Sequence, residues 1–419
     1  MTVAPASVII VSRERPAALI RCLTGLLQSD HPLFEVVVVA DAAGFAAVAA
    51  EVAAARLPDQ IKVARCDVAN IAVARNTGLV LAAGSVVAFI DDDAVPEPTW
   101  LSRLTAPFAQ TDVVAAGGFV RARNGISYQW KARVIDRDAR ETPLAVPEGG
   151  PSLHRGTPDR AIKTEGTNCA FRRAVLAGIG GFDPAYAFYL DEADVNMRLA
   201  ASGHVTAIVP GAEVHHGFAA STRRTPARVP RSLFDIGAST AVFLRRHGGD
   251  EARALGLMRQ EQRARLLRLM VSGALVPGDV GRLLETLEAG VRDGANRALA
   301  PLAPIAAADT FCALPGTGPR AGRVIAGRFW QGRALDKAAR KAVAADEVVT
   351  VIRLSPTARP HRMRFDGAGY WEQAGGLFRA SERDGPRFRF SGFQARVAQE
   401  VARLGAVRPV GTPVGSSAS

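Results

Sequence analysis

"ASVIIVSRERPAALIRCLTGLL" (residues 6–27) opens with an unbroken apolar run, Val8 to Val11, and turns through a short polar segment. It then places Leu19, Cys22, Leu23, Leu26 and Leu27 at helical spacing behind Pro16. A continuous β-branched run fits a strand buried on both faces, and the 3-and-4 spacing with proline in the first turn fits a helix with one buried face. The unit recurs outward from there. "FEVVVVAD" (34–41), the alanine-rich "FAAVAAEVAAARL" (45–57), "IKVARC" (61–66), "NIAVARNTGLVLAAG" (70–84) and "SVVAFIDDD" (85–93) alternate strand and helix patterns. Alternation of this kind predicts an α/β domain with a Rossmann-like, mainly parallel sheet, whose ligands gather at the carboxyl ends of the strands.

At one such end stand three consecutive acids, Asp91, Asp92 and Asp93. Side chains alternate along extended backbone, so Asp91 and Asp93 share one side and Asp92 takes the other. Two carboxylates so placed suit a hard divalent cation that keeps positions open for substrate phosphates. The plain alternative is a solvated acidic turn ended by Pro96 and Pro98.

The 419 residues, 48% hydrophobic and 22% charged, are enough for two or three domains and lack fibrous or disordered character. The N-terminal stretch lacks a basic leader and no run approaches a membrane span, which predicts a cytoplasmic protein. Cys22, Cys66, Cys169 and Cys312 show no CxxC pairing and are expected as free thiols. Residues 1–228 hold 23 Lys or Arg against 23 Asp or Glu, while residues 229–419 hold 29 against 17, so the whole net charge of +12 lies in the second part. Only five residues are lysine, making that part arginine-rich and able to meet phosphates, an anionic glycan or the inner face of a membrane, or simply to be a solvated face.

Further on, "GTNCAFRRAVL" (166–176) reads as a strand entering a helix, "GGFDP" (180–184) as a turn, and "DEADVNMRLAASG" (191–203) as a helix with an acidic start and Gly203 as its stop. Asp191, Glu192 and Asp194 suit the dipole of a helix N-terminus, and for Asp194 a structural salt bridge is the preferred reading.

Taken in order, "SVIIVSRERPAALIRCLTGLL", "ARNTGLVLAAGSVVAFIDDDAVPEPTWL", "GTNCAFRRAVLAGIGGFDPAY" leading to "LDEADVNMRL", and "VPGAEVHH" resemble the family 2 nucleotide-sugar-dependent glycosyltransferases over about residues 6–220. The resemblance implies an A-type glycosyltransferase fold, an inverting transfer of sugar from a nucleoside diphosphate sugar to an acceptor hydroxyl, and a Mn2+ or Mg2+ cofactor. It implies Asp93 and His215 as metal ligands, Asp91 on the donor's ribose, and Asp92 assisting either role. Ser12, Arg13, Asp41 and Arg75 would surround the nucleotide, and Gly166, Thr167 and Asn168 the donor sugar and acceptor. Asp41 continues as "DAAG" rather than the family's usual acidic pair, and Gly166 has a plain alternative use in a backbone turn. The catalytic base would come from Asp191-Glu192, an order inverted from the family's usual Glu-Asp: position favours Glu192, and keeping an aspartate favours Asp191. The loop "GFAASTRRTPARVP" (217–230) offers Arg223 and Arg224 for closing over the diphosphate.

Residues 1–228 are thus expected as the catalytic domain, 229–305 as a helical segment, 320–408 as a small α+β domain with a hairpin in "HRMRFDGAGYWEQAGG", and 409–419 as a flexible tail. Tyr370, Trp371 and Phe378 read first as core of that hairpin. The expected acceptor is a glycan or lipid-linked sugar of a bacterial surface polysaccharide, with no nucleic-acid partner, since no recognition motif accompanies the charge. The amphipathic "EARALGLMRQEQRARLLRLMVSGAL" (251–275) packs on the catalytic domain or lies on an anionic membrane. Two rivals remain open at this level. One is a nucleotidyltransferase, which would want a glycine-rich loop where "VSRERP" stands; the other is a noncatalytic sugar-nucleotide-binding or scaffold protein.

Overall fold

The computed structural model describes residues 4–217, 223–225, 227–306, 310–382, 388–411 and 414–415. Its first half reads β1 (Ala6–Ser12), α1 (Pro16–Leu26), β2 (Phe34–Ala40), α2 (Ala42–Ala53), β3 (Lys62–Arg65), α3 (Ile71–Leu81), β4 (Val86–Asp91), β5 (Ala94–Pro96), α4 (Trp100–Thr105) and β6 (Val113–Arg121). Then follow β7 (Tyr128–Trp130), β8 (Arg133–Asp136), β9 (Glu141–Pro143), β10 (Ser152–Arg155), β11 (Arg160–Lys163), β12 (Cys169–Arg172), α5 (Arg173–Gly178), α6 (Asp191–Ala201) and β13 (Val205–His216).

The main sheet has the order β10-β13-β6-β12-β4-β1-β2-β3, with β5 and β7 attached to β13 and β6. On that path only β12 and β10 run against the other six strands. β1 sits between β2 and β4 and is buried on both faces, which is why its sequence is a continuous apolar run. Leu19, Cys22, Leu23 and Leu26 of α1 pack on one face of the sheet, and Ala72 and Leu79 of α3 on the other. The carboxyl ends of β1 and β4 therefore open on the same edge, and β8, β9 and β11 form a separate three-stranded sheet beside it.

The expected helical stretch resolves into α7 (Phe234–His247), α8 (Glu251–Val271) and α9 (Pro277–Asn296), which bury Leu244, Leu255, Met258, Leu266, Leu283 and Leu287 among themselves. Among the described residues no helix is long and apolar enough to cross a membrane. The four cysteines are free.

The last part comprises β14 (Gly322–Arg328), α10 (Gly332–Val343), β15 (Val348–Ser355), β16 (Arg362–Phe365), β17 (Trp371–Gly376), α11 (Phe393–Leu404) and β18 (Val414–Gly415). β16 and β17 form the expected hairpin, while β14, β15 and β17 pair in parallel, more than a hairpin alone would supply. β18 adds to β14, so part of the stretch expected as a tail is strand. Tyr370 and Trp371 are buried as expected.

This unit is keyed to the first half of the chain by a buried ion pair. Arg408 Nε lies 2.8 Å from Glu97 Oε2, its guanidinium stacks 3.9 Å above the Trp371 ring, and both charged residues are almost wholly buried. Burial opposes ionisation of Glu97, but Arg408 and His215 together hold it down to about 2. The pair's stabilisation is therefore present above the ordinary carboxylate pKa and lost as pH falls toward 2. Arg408→Ala leaves Glu97 charged and buried without its main partner, a loss of about 3–5 kcal/mol that denaturant unfolding will register.

Candidate active site

Backbone strain marks the place where the site is assembled. Tyr189 and Leu190, neither a glycine, adopt φ of 76° and 64° immediately before α6. Each such residue costs roughly 1–2 kcal/mol, a cost sustained only where surrounding packing dictates the conformation. Leu190 is buried against Tyr186, Ala193 and Phe243, which fixes the bend. The result sets Asp191 and Glu192 at the first turn of α6, facing the carboxyl ends of β1 and β4 across a cleft of about 360 Å³.

On the strand side, Asp91 and Asp93 point into the cleft and Asp92 points away, as alternation requires. Asp92 is fully buried, accepting a 2.7 Å hydrogen bond from Ser12 Oγ and lying 2.7 Å from Arg15 Nη2. Burial is the main force raising Asp92 to about 7, against the pull of Arg15. Ser12 and Asp92 thus sit behind the cleft, bonded to each other and, through Asp92, to Arg15. Arg15, missed in the sequence, spans Asp92 and Asp93, and its Nη1 is 3.2 Å from Asp93 Oδ2.

The histidine expectation is also corrected. His215 Nε2 lies 2.7 Å from Glu97 Oε1 and its ring packs 4.8 Å from Trp371, on the side of β13 away from the cleft. His216 is the residue that faces the acids, its Nε2 3.2 Å from Asp93 Oδ1 and 3.9 Å from Asp91 Oδ2. One ligand atom from each of Asp91, Asp93 and His216 falls within a 4.8 Å cluster. Gln129 Oε1 lies 3.3 Å from Nδ1, an acceptor that suits a hydrogen on that nitrogen and an Nε2 turned toward the acids. Two carboxylates and an imidazole form a donor set that fits Mn2+ well and Mg2+ less well. Glu97, Glu213 and His215 converge similarly, but Arg408 and Arg121 already answer their carboxylates.

Arg75 ties the two sides together. It is buried, forms an ion pair with Asp191, donates to Gly166 O at 3.1 Å, and lies 3.6 Å from Asp91 Oδ1. Gly166 is needed for this approach rather than for a turn, because an added Cβ would stand 2.6 Å from Arg75 Nη2. Gly166→Ala must therefore push the guanidinium aside. An ångström-scale misplacement of this kind is expected to cost about 100-fold in turnover while the far-ultraviolet dichroism stays native.

Thr167 lines the cleft, and its buried Oγ1 has no hydrogen-bond partner among the described residues, a hydroxyl placed to meet a ligand. Asn168 does not reach the cleft. It accepts from Trp100 Nε1 at 2.8 Å and donates to Phe119 O and Ala212 O, both at 2.9 Å, which makes it a buried strut. Asp41 caps α2, accepting from Gly44 N at 3.0 Å, and accepts from Glu14 N at 2.8 Å, so it shapes the first loop without lining the cleft. Arg13 does line it, with Nη1 held 2.9 Å from Asp67 O. Arg223 and Arg224 also line it; the expected closing loop otherwise includes residues 218–222 and 226, which lie outside the described residues. Asp194 is structural, 2.7 Å from Arg198 Nη2 and 3.0 Å from His247 Nε2.

The two candidate bases differ in their surroundings. Asp191 faces Arg75, whereas Glu192 Oε1 lies 3.3 Å from Lys163 Nζ, which also reaches Glu165 at 2.9 Å and Glu141 at 3.4 Å. Burial opposes ionisation of both. For Glu192, Lys163 and Arg75 overcome it and hold the carboxyl below its ordinary value. For Asp191, burial outweighs Arg75, and the adjacent Glu192 adds to it, giving about 7. Lys163 comes from β11, a short strand without a recognisable motif, so nothing in its local sequence marked it.

With this geometry in hand, comparison with known proteins is direct. Residues 7–179 match the family described as Glycosyl transferase family 2. The N-terminal part of the chain is therefore similar to glycosyl transferase family 2. The chain is 34% identical over 117 residues to a glucosyl-dolichyl phosphate glucuronosyltransferase of Haloferax volcanii, covering 27% of this chain and 34% of that one. It is 40% identical over 79 residues to an N-acetylglucosaminyl-diphospho-decaprenol L-rhamnosyltransferase of Mycobacterium tuberculosis, covering 19% of this chain and 25% of the relative. The match thus spans only a quarter to a third of the length of these curated relatives. Among solved structures, a mannosyltransferase from Pyrobaculum calidifontis in complex with GDP-Man and Mn2+ aligns with a TM-score of 0.41 and 19% identity, over 72% of this chain and 78% of that one. In this part of the chain, the acids after β4 and the acidic start of α6 both fall at the open edge of the sheet.

Proposed function

We propose that the protein is an inverting glycosyltransferase that moves a sugar from a nucleoside diphosphate sugar to an acceptor hydroxyl. The observation that supports this best is that Asp91, Asp93 and His216 face Glu192 across one cleft, with a cation-ligating set on one wall and an ionised carboxylate on the other.

In this reading Asp91, Asp93 and His216 hold Mn2+ or Mg2+. The cation, when bound, neutralises negative charge on the departing diphosphate. Arg223 and Arg224, on the same cleft, add fixed positive charge for those phosphates. Thr167 Oγ1 meets a hydroxyl of the donor sugar. Glu192, kept ionised by Lys163, accepts the proton of the acceptor hydroxyl as that oxygen attacks the anomeric carbon, the general-base role. Asp191 holds Arg75, and through it the Gly166 segment, in place. A single in-line displacement with one base and no side-chain nucleophile inverts the anomeric configuration. The acceptor is read as a glycan or lipid-linked sugar in surface polysaccharide assembly.

Proton NMR of the product tests this reading. A product whose anomeric configuration is opposite to the donor's supports it, and retention contradicts it.

A further inference from the structure

Glu192 borders two cavities. The second, of about 790 Å³, lies beyond Tyr189, between Lys163 on one side and the inner face of α8 on the other. Trp130, Glu165, Tyr189, Glu192 and Ile236 line both spaces, so the two meet at Glu192.

We propose that this second cavity is the acceptor site, and that it takes an uncharged sugar terminus presented hydroxyl-first to Glu192. The assignment rests on the glycosyl-transfer reading and adds to it the location and chemical class of the acceptor.

Charge makes the first argument. Six carboxylates line the cavity against four arginine or lysine residues. Three of the four cations are committed, Arg133 to Glu141 and Glu165, Lys163 to Glu165 and Glu192, and Arg253 to Asp138, while the fourth, Arg140, is exposed. A phosphate reaching Lys163 or Arg133 would meet excess negative charge in a partly desolvated space and would have to displace their carboxylate partners. A hydroxyl can donate to these carboxylates without disturbing their partners.

Shape and surface make the second. Tyr189 from the strained turn and Leu257 and Met258 from α8 bring apolar surface to the same space as Gln262 and Thr240. A few polar groups set among apolar walls is the usual construction of a small-ligand site, and it suits a sugar ring with its polar rim and apolar faces. The turn is anchored from α7, where Ser239 Oγ donates to Phe188 O at 2.8 Å. The α7–α8 segment, which the sequence left without a role, thereby becomes the outer wall of the acceptor site.

Saturation-transfer NMR on the full chain tests this. The probes are methyl β-glucoside, methyl β-galactoside, methyl α-mannoside, methyl N-acetyl-β-glucosaminide and glucose 1-phosphate, each at the same concentration. At least one methyl glycoside is expected to show ring-proton transfer in the wild type and equally in Asp93→Ala. That signal should fall severalfold in Leu257→Trp, which fills the cavity from a residue 43% exposed and so spares the helix packing. Gln262→Ala should reduce it without adding bulk, and glucose 1-phosphate should give no signal sensitive to either change. The proposal is overturned if no methyl glycoside binds. It is also overturned if the signal disappears in Asp93→Ala yet survives Leu257→Trp, or if glucose 1-phosphate gives the stronger cavity-dependent signal. Failure of the underlying reading shows separately, as absence of metal-dependent nucleotide binding.

Discussion

Asp93→Ala is expected to abolish metal-dependent binding of nucleoside diphosphates while leaving the protein folded. Asp93 is buried, 3.2 Å from both His216 and Arg15, and removing it takes away the acid closest to the imidazole. It relieves repulsion on Asp92 but also removes the contacts with Arg15 and His216, so the nucleotide-dependent increment is read against the variant's own ligand-free melting temperature. For the wild type, a nucleotide at a hundred times its Kd with Mn2+ stabilises by about 2.7 kcal/mol through mass action. In the variant that increment should vanish, which calorimetric titration and thermal melting can both read. His216→Ala should resemble it. His215→Ala should instead lower the melting temperature, because it loosens the Glu97–Arg408 interface, while leaving metal-dependent binding in place.

The second large effect is on turnover. Glu192→Gln removes the proton acceptor but keeps size and polarity, so kcat should fall by about 10²–10⁴-fold with little change in donor affinity. The pH dependence distinguishes the two adjacent carboxylates. Lys163 holds Glu192 below the ordinary range, so a Glu192-based rate stays level through neutrality and declines only as pH drops below that range. Were Asp191 the base, raised above the ordinary range chiefly by burial, the rate would begin to decline at a higher pH than a Glu192-based rate. Asp191→Asn should act differently, by loosening Arg75 and raising KM as well as lowering kcat.

Much of this site was legible in the sequence because it rests on local rules. The buried run of β1 and the spacing of α1 named their own elements, and strict alternation correctly sent Asp92 away from Asp91 and Asp93. The positional match to the family favoured His215, whereas His216 is the residue turned toward the acids. Two register shifts interrupt the pairing of β13 with β6, one of them between Val209 and Glu213, and each can change which side chains face the cleft. Parity in a strand with irregularities cannot be counted from its sequence. Asp41 and Asn168 sit in the right segments, but their polar groups are consumed by a helix cap and by backbone carbonyls. Lys163, Arg15 and Tyr189 depended on tertiary placement, and Arg408 reaches Glu97 across 311 residues of chain, a separation beyond any local pattern.

The most direct test of the central claim is the release of nucleoside diphosphate from a panel of sugar nucleotides, measured with Mn2+, with chelator, and with Mn2+ restored. The account predicts that at least one donor is cleaved with Mn2+, that chelator stops the reaction, and that restoring the metal recovers it. Cleavage that continues unchanged in chelator would contradict the role given to Asp91, Asp93 and His216. Metal-dependent nucleotide binding with no cleavage of any donor would identify a binding module instead of a transferase.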